Sequence, residues 1–290
     1  MMIRKETFWF LLSSIVLFCL NFFSPEVITS QIKYFLLCLL VIIFGLPHGA
    51  LDTLEAKQNK VIKNMRDFVM FNVIYLLLAA LVFFSWKYYS LLMLCLFLII
   101  SALHFKEDWK NKANSLESTI IGFSIISLPV FFHEEKAFLL YSYLSTSKNL
   151  FYLITIQKLS SYLLIFSLLL ISVKNFKDLN IVLQIITLIL SSYLLEPIYY
   201  FIAFFCFFHS IKNFDQTFND IKISNSNLII VINMLATIII GIILYFFYLE
   251  GAYEKRLSSL TFIGLASLTV PHMILKILIK KKLFLFKPRH

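Results

Sequence analysis

The chain has 290 residues, 60% of them hydrophobic, 17% aromatic and 14% charged, with a mean hydropathy of +0.86. No soluble globular domain has that composition, and apolar runs of about 17–25 residues, each enough to cross a ~30 Å hydrocarbon core, recur along the whole length. The net charge of +10 does not signal nucleic acid, because the cations sit in short loops between apolar runs, where they set topology.

A segment in lipid must satisfy its backbone internally, so the repeated runs predict helices. The spans are read at 7–24, 34–54, 67–86, 88–105, 118–133, 151–173, 180–195, 197–211, 227–249 and 258–279. The first begins with Arg4 and Lys5 but has no small-residue cleavage site before Pro25, so it is expected to be an uncleaved helix. The piece AFLLYSYL within 134–150 reads as a surface helix. The region around Glu196-Pro197 reads as two helices or as one broken helix. The fold class is therefore all-α: a polytopic integral membrane bundle of about ten transmembrane helices, forming a single domain over 1–290.

An even number of spans places both ends on one side. In this threading 19 of the 26 Lys and Arg fall on the face that carries the termini. Six fall on the other (Lys33, Lys87, Lys136, Lys148, Lys255, Arg256), with Lys158 unassigned. The bias predicts that both termini are cytoplasmic, as expected of a multi-pass protein of the cell (inner) membrane. The cysteines Cys19, Cys38, Cys95 and Cys206 lie inside apolar runs without paired spacing and read as small core hydrophobes.

His133 and His290 read as solvated surface groups. The other four histidines differ. His48 closes the second span, His104 the fourth and His209 the eighth, and His272 lies two thirds through the tenth. All four spans run in the same direction, so four imidazoles fall in the same half of the membrane on separate helices. An ionisable residue inside a span is costly, and imidazole is a ligand for Zn, Cu and Fe.

Their surroundings repeat. Asp52, Asp108 and Asn213 stand four residues after His48, His104 and His209, one turn along the same helix face. The aspartates have two readings: carboxylates that orient metal-bound imidazoles, supplied along one helix or across to another, or polar ends of their helices. In GLPHGALD (Gly45–Asp52), Gly45 and Gly49 are expected to permit close helix approach, and Pro47 to loosen the helix before His48. Pro271-His272 repeats the device.

GLPHGALD, the SALHF…D stretch (Ser101–Asp108), FCFFHS (Phe205–Ser210) and LASLTVPHMIL (Leu265–Leu275) resemble the Brp/Blh family of membrane β-carotene 15,15′-dioxygenases. The motifs span most of the chain in the family's order. The resemblance implies an Fe(2+)-dependent enzyme that uses O2 to cleave the central double bond of β-carotene into two retinal molecules. Its substrate would come from the lipid bilayer, and a retinal-binding rhodopsin would act downstream. The family's metal histidines map onto His48, His104 and His209. Where the family has HSxxH, this chain has HSIKN, and Lys106 follows HF where glycine is usual. Asn213 therefore has three readings: His272 completes the ligand set, Asn213 coordinates weakly or leaves a position open, or the site is degraded.

The 32 Phe and 14 Tyr suffice to line a polyene tunnel, although such abundance also reflects composition and lipid contact. Other classes fit less well. Membrane oxidases with clustered HxxxH or HxxHH boxes are not matched, and no internal repeat of a transporter is visible. The remaining alternative is a non-catalytic carotenoid- or retinal-binding homologue, or a rhodopsin-assembly factor.

Overall fold

The structure is a computed structural model. It describes residues 3–23, 29–110, 112–221 and 226–285, without the side chains of His48, Ser226 and 281–285. His290 lies outside the described residues. The chain runs α1 (Lys5–Phe23), α2 (Ser30–Leu40), a π turn (Val41–Gly45), α3 (Leu46–Ala50), α4 (Asp52–Gln58), α5 (Met65–Tyr88) and α6 (Ser90–Phe105). A 3₁₀ turn (Lys106–Trp109) leads to α7 (Ser115–Phe132), α8 (Glu134–Leu144), α9 (Leu150–Lys174) and α10 (Leu179–Leu194). Then come α11 (Pro197–Phe201), a long π segment (Ile202–Ser210), α12 (Ile211–Asp220), α13 (Ser226–Phe247) and α14 (Tyr253–Leu285). No strand occurs among the described residues.

Helix starts follow from polar residues at the ends of apolar runs. Asn64 caps α5 by accepting from the Asp67 amide at 2.9 Å. Asn114 and Glu117 form a reciprocal capping box at the start of α7. Asp178 caps α10 through the amides of Asn180 and Ile181. Pro197, at the first position of α11, makes the Glu196 region two helices rather than one bent helix.

Seven helical segments are long and apolar enough to cross a membrane: Lys5–Phe23, Met65–Tyr88, Ser90–Trp109, Ser115–Phe132, Leu150–Lys174, Asn227–Phe247 and Tyr253–Lys280. Ser30–Gly45 and Leu179–Leu194 are apolar but shorter. Outward faces carry exposed Leu77, Leu81, Leu163, Phe166, Ile239 and Phe247, an apolar surface too extensive for contact with water. The protein is a helical membrane bundle, as its composition predicts.

The described ion pairs test the threading. Lys276–Glu55, Lys280–Glu107, Lys112–Glu6, Lys5–Asp215 and Lys174–Glu117 all join residues assigned to the face of the termini. On the opposite face Glu196 holds both Lys33 and Lys136, and Lys158 pairs with Glu134, which gives that lysine its side. Among the described residues no ion pair joins the two faces. The stretch after 133 is a true helix, α8. It buries Ala137, Leu140, Tyr141 and Leu144 against the bundle, so it is a wall of the core as well as a surface element. His133, expected to be solvated, donates through Nε2 to the Tyr193 carbonyl at 3.0 Å.

Two features bring the functional motifs inward. A Cβ added at Gly45 would lie 2.7 Å from Cε1 of Phe205, so the second and eighth spans touch where only hydrogen fits. Gly49 behaves differently from its expected packing role. A Cβ there would meet nothing within 4 Å, and the residue borders a cavity. The second feature is the buried Trp109, whose Nε1 donates to Gln184 Oε1 at 2.8 Å, while Gln184 donates to Thr7 Oγ1 at 2.7 Å. This chain ties the 3₁₀ turn to α10 and α1 and fixes its neighbour Asp108.

Candidate metal centre

A cavity of about 200 Å³ lies inside the bundle, bordered by α3, α5, α6, the long π segment, α13 and α14. His104, His209 and His272 all line it. The ring of His104 neighbours both of the others, with centroids 4.7 Å from His209 and 5.1 Å from His272 and near-perpendicular planes. Three of the four histidines marked in the sequence thus converge. His48 belongs to α3, whose neighbours Gly45, Leu46, Gly49 and Ala50 border the same cavity, but its side chain lies outside the described residues.

Local helix geometry delivers these rings. His209 sits at the end of the nine-residue π segment, and GLPHGALD begins at the end of the five-residue π turn. Such wider turns displace side chains from the face an α-helix would give them and recur at functional sites. Pro271 removes one backbone donor within α14, which continues as a helix beyond it.

The aspartates reach across to other helices. Asp52 Oδ1 bonds His272 Nδ1 at 2.7 Å, and Asp108 Oδ2 bonds His209 Nδ1 at 2.8 Å. A carboxylate can only accept, so Nδ1 carries the proton, and a neutral ring then has its lone pair on Nε2. That tautomer and a fixed ring plane are what a metal-binding imidazole needs. All four groups are at most 5% exposed.

Each carboxylate is itself held. Tyr75 donates to Asp52 Oδ2 at 2.8 Å and reaches the Leu268 carbonyl at 3.3 Å. Lys212 is buried, bonds the Asp108 carbonyl oxygen and lies 3.3 Å from Oδ1. Asn213 donates to Asp108 Oδ1 at 2.9 Å and to the His209 carbonyl at 2.8 Å. The residue that departs from HSxxH is therefore engaged with Asp108. Sequence reasoning missed Tyr75, which nothing in its run distinguishes. It also missed Lys212, whose signal was a cation three residues after His209 at the end of an apolar run.

Around this polar cluster the walls are aromatic. Phe97, Phe105, Phe201 and Phe205 line the cavity, and the Phe105 ring stands 4.9 Å from that of His209. Such a site combines basic nitrogens of fixed orientation with an apolar chamber, which suits a hydrophobic substrate next to a metal. Among the described residues no group of three or more His, Cys, Asp and Glu is drawn together tightly enough to hold an ion by itself. The donor types, three imidazoles with two of them held by carboxylates, fit a metal.

Residues 39–280 match the family model of beta-carotene 15,15′-dioxygenase. The chain is also 29% identical over 255 residues to a protein named beta-carotene 15,15′-dioxygenase from the uncultured marine bacterium 66A03, an alignment covering 81% of this chain and 90% of that one. No solved structure matches. The matched residues contain GLPHGALD, the two aspartates, Asn213 and all three converging histidines. The chain belongs to the beta-carotene 15,15′-dioxygenase family.

Proposed function

We propose that this protein is an iron(II)-dependent dioxygenase that cleaves the central 15,15′ double bond of β-carotene with O2 to give two molecules of retinal. Each oxygen atom of O2 ends on one carbon of the broken bond, so no external reductant is consumed. The observation that carries the reading is the convergence of His104, His209 and His272 on one apolar cavity, two of them oriented by carboxylates. Family membership supports the substrate and the reaction.

His104, His209, His272 and His48 would hold the iron, through Nε2 where Nδ1 is bonded to aspartate. Iron(II) supplies the one-electron chemistry that lets O2 react with a closed-shell alkene. The chain's own residues do the rest. Asp52 and Asp108 keep two imidazoles in one tautomer and plane. Tyr75, Lys212 and Asn213 keep those carboxylates from turning. The phenylalanine walls exclude water and, by shape, hold one bond of an otherwise featureless polyene near the histidines. The protein acts in the cell (inner) membrane on a lipid-dissolved substrate, and a retinal-binding rhodopsin is the downstream user of its product.

The test is expression in a bacterial host that accumulates β-carotene, with pigment and retinal quantified by chromatography and iron measured in the purified protein. Bleaching with retinal formation, lost in His48→Ala and His209→Ala, is the expected result. Retained pigment without retinal or bound iron would establish a carotenoid-binding homologue instead.

A further inference from the structure

A second, smaller cavity of about 90 Å³ adjoins the one at the histidines. The two share four lining residues, Phe97, Ser101, Phe105 and Phe201, so they are chambers on either side of one aromatic constriction. Their surroundings are opposite in kind. The histidine chamber includes Leu76 of α5 and Ala236 and Ile240 of α13, all exposed on the lipid-facing surface. Although both helices border the chamber, α5 and α13 hardly pack on each other. The inner chamber has no exposed lining residue. Its far wall is Leu94, Ala137, Leu140 and Leu144, each at most 6% exposed.

One path thus has an open end in the bilayer and a blind end in the core, with the histidines between the mouth and the constriction. An elongated polyene can enter only end first. Shape alone must then decide which of its many similar double bonds stops beside the histidines. The depth of the blind end is a structural feature that can set this.

We propose that the inner chamber is an end-group subsite that acts as a ruler. It seats one terminal ring of the carotenoid, and its floor at Ala137 and Leu140 fixes which bond of the chain lies at the histidines. The proposal rests on the dioxygenase reading and adds the origin of its regioselectivity. Ala137 and Leu140 line only the inner chamber, and His104, His209 and His272 only the outer one; the first two are positioning residues.

The test uses the full-length protein purified in detergent with its bound iron. Ala137→Phe raises the floor, and Leu140→Ala lowers it. With Ala137→Phe, conversion of β-carotene is expected to fall at least about tenfold, and residual products to become aldehydes of unequal length. A shortened polyene aldehyde offering its cut end to the chamber should be cleaved within about twofold of wild type. Leu140→Ala should yield unequal aldehydes from β-carotene without loss of folding. Symmetric cleavage by both folded variants at the wild-type rate overturns the ruler. If Ala137→Phe does not fold, the Leu140→Ala product pattern decides alone. If wild type itself forms no retinal, the dioxygenase reading fails, and pigment binding judges the subsite. β-Carotene that co-purifies with wild type and is lost from folded Ala137→Phe supports the chamber as a seat; equal retention refutes it.

Discussion

Asp108 stands four residues after His104, yet its carboxylate bonds Nδ1 of His209, 101 residues away, at 2.8 Å. Asp52 likewise bonds Nδ1 of His272, 220 residues away, at 2.7 Å. The two aspartates therefore cross-link the fourth span to the eighth and the second to the tenth. Loss of either is expected to disturb the ring on the opposite helix. Asp108→Ala should lower iron occupancy and retinal formation by about 10–100-fold. Elemental analysis of the purified protein, run beside the activity assay, would count against this role if iron stayed stoichiometric.

Asn213 gives a sharper test, because its amide and the Asp108 carboxylate are complementary. Asn213→Ala removes one of several donors to Asp108 and should reduce iron occupancy less than Asp108→Ala. Asn213→Asp sets two carboxylates together in a buried site and should cost more than Asn213→Ala. The reverse order would mean that Asn213 acts on the metal rather than through Asp108.

Lys212 is a buried cation bonded to a buried carboxylate, and removing one partner of such a pair is costlier than never having had it. Lys212→Met is expected to lower stability by about 1–3 kcal/mol. Tyr75→Phe, which leaves Asp52 its bond to His272, should cost roughly 1 kcal/mol. Thermal unfolding in detergent, with wild type in parallel, would contradict this account if Tyr75→Phe proved the more damaging.

The glycines of GLPHGALD should respond differently to the same change. Gly45→Ala forces a methyl group against Phe205 and is expected to cost about 1–3 kcal/mol, the usual penalty for overpacking. Gly49→Ala meets open cavity and should leave the unfolding midpoint near wild type while narrowing the space beside the histidines. Equal midpoints for the two variants would show that the second and eighth spans can part without cost.

Glu196 ties Lys33 of α2 to Lys136 of α8 on the face opposite the termini. Burial pushes its carboxyl upward, but the bonds and charges of Lys136 and Lys33 outweigh that and hold it below the ordinary glutamate value. The folded state thus binds the proton less tightly than the unfolded chain. The contribution to stability is complete above the unfolded value and is lost as pH falls through the lower folded one. Glu196→Gln should flatten the acid limb of a stability-against-pH curve. An unchanged limb would assign the acid sensitivity to other groups.

Much of this was legible in the sequence because lipid imposes a simple rule on chain composition. The helical membrane bundle follows from apolar length, although seven segments rather than the expected ten are long and apolar enough to cross, and the ion pairs fall into the two groups that cation placement gives. Partner choice was not legible. A spacing of four puts Asp108 near His104 along a helix, but the 3₁₀ turn at Lys106–Trp109 and the π segment before Ser210 rotate both motifs. Asp108 then faces a different helix. Tyr75 carried no signal, since its bond to Asp52 depends on how α5 packs against α14.

The mouth between α5 and α13 opens onto lipid at Leu76, Ala236 and Ile240. A solute reaching the histidines through that face is counted per lipid rather than per litre. Occupancy then depends on its mole fraction in the bilayer: adding empty vesicles at fixed total carotenoid dilutes it, whereas concentrating the aqueous suspension does not.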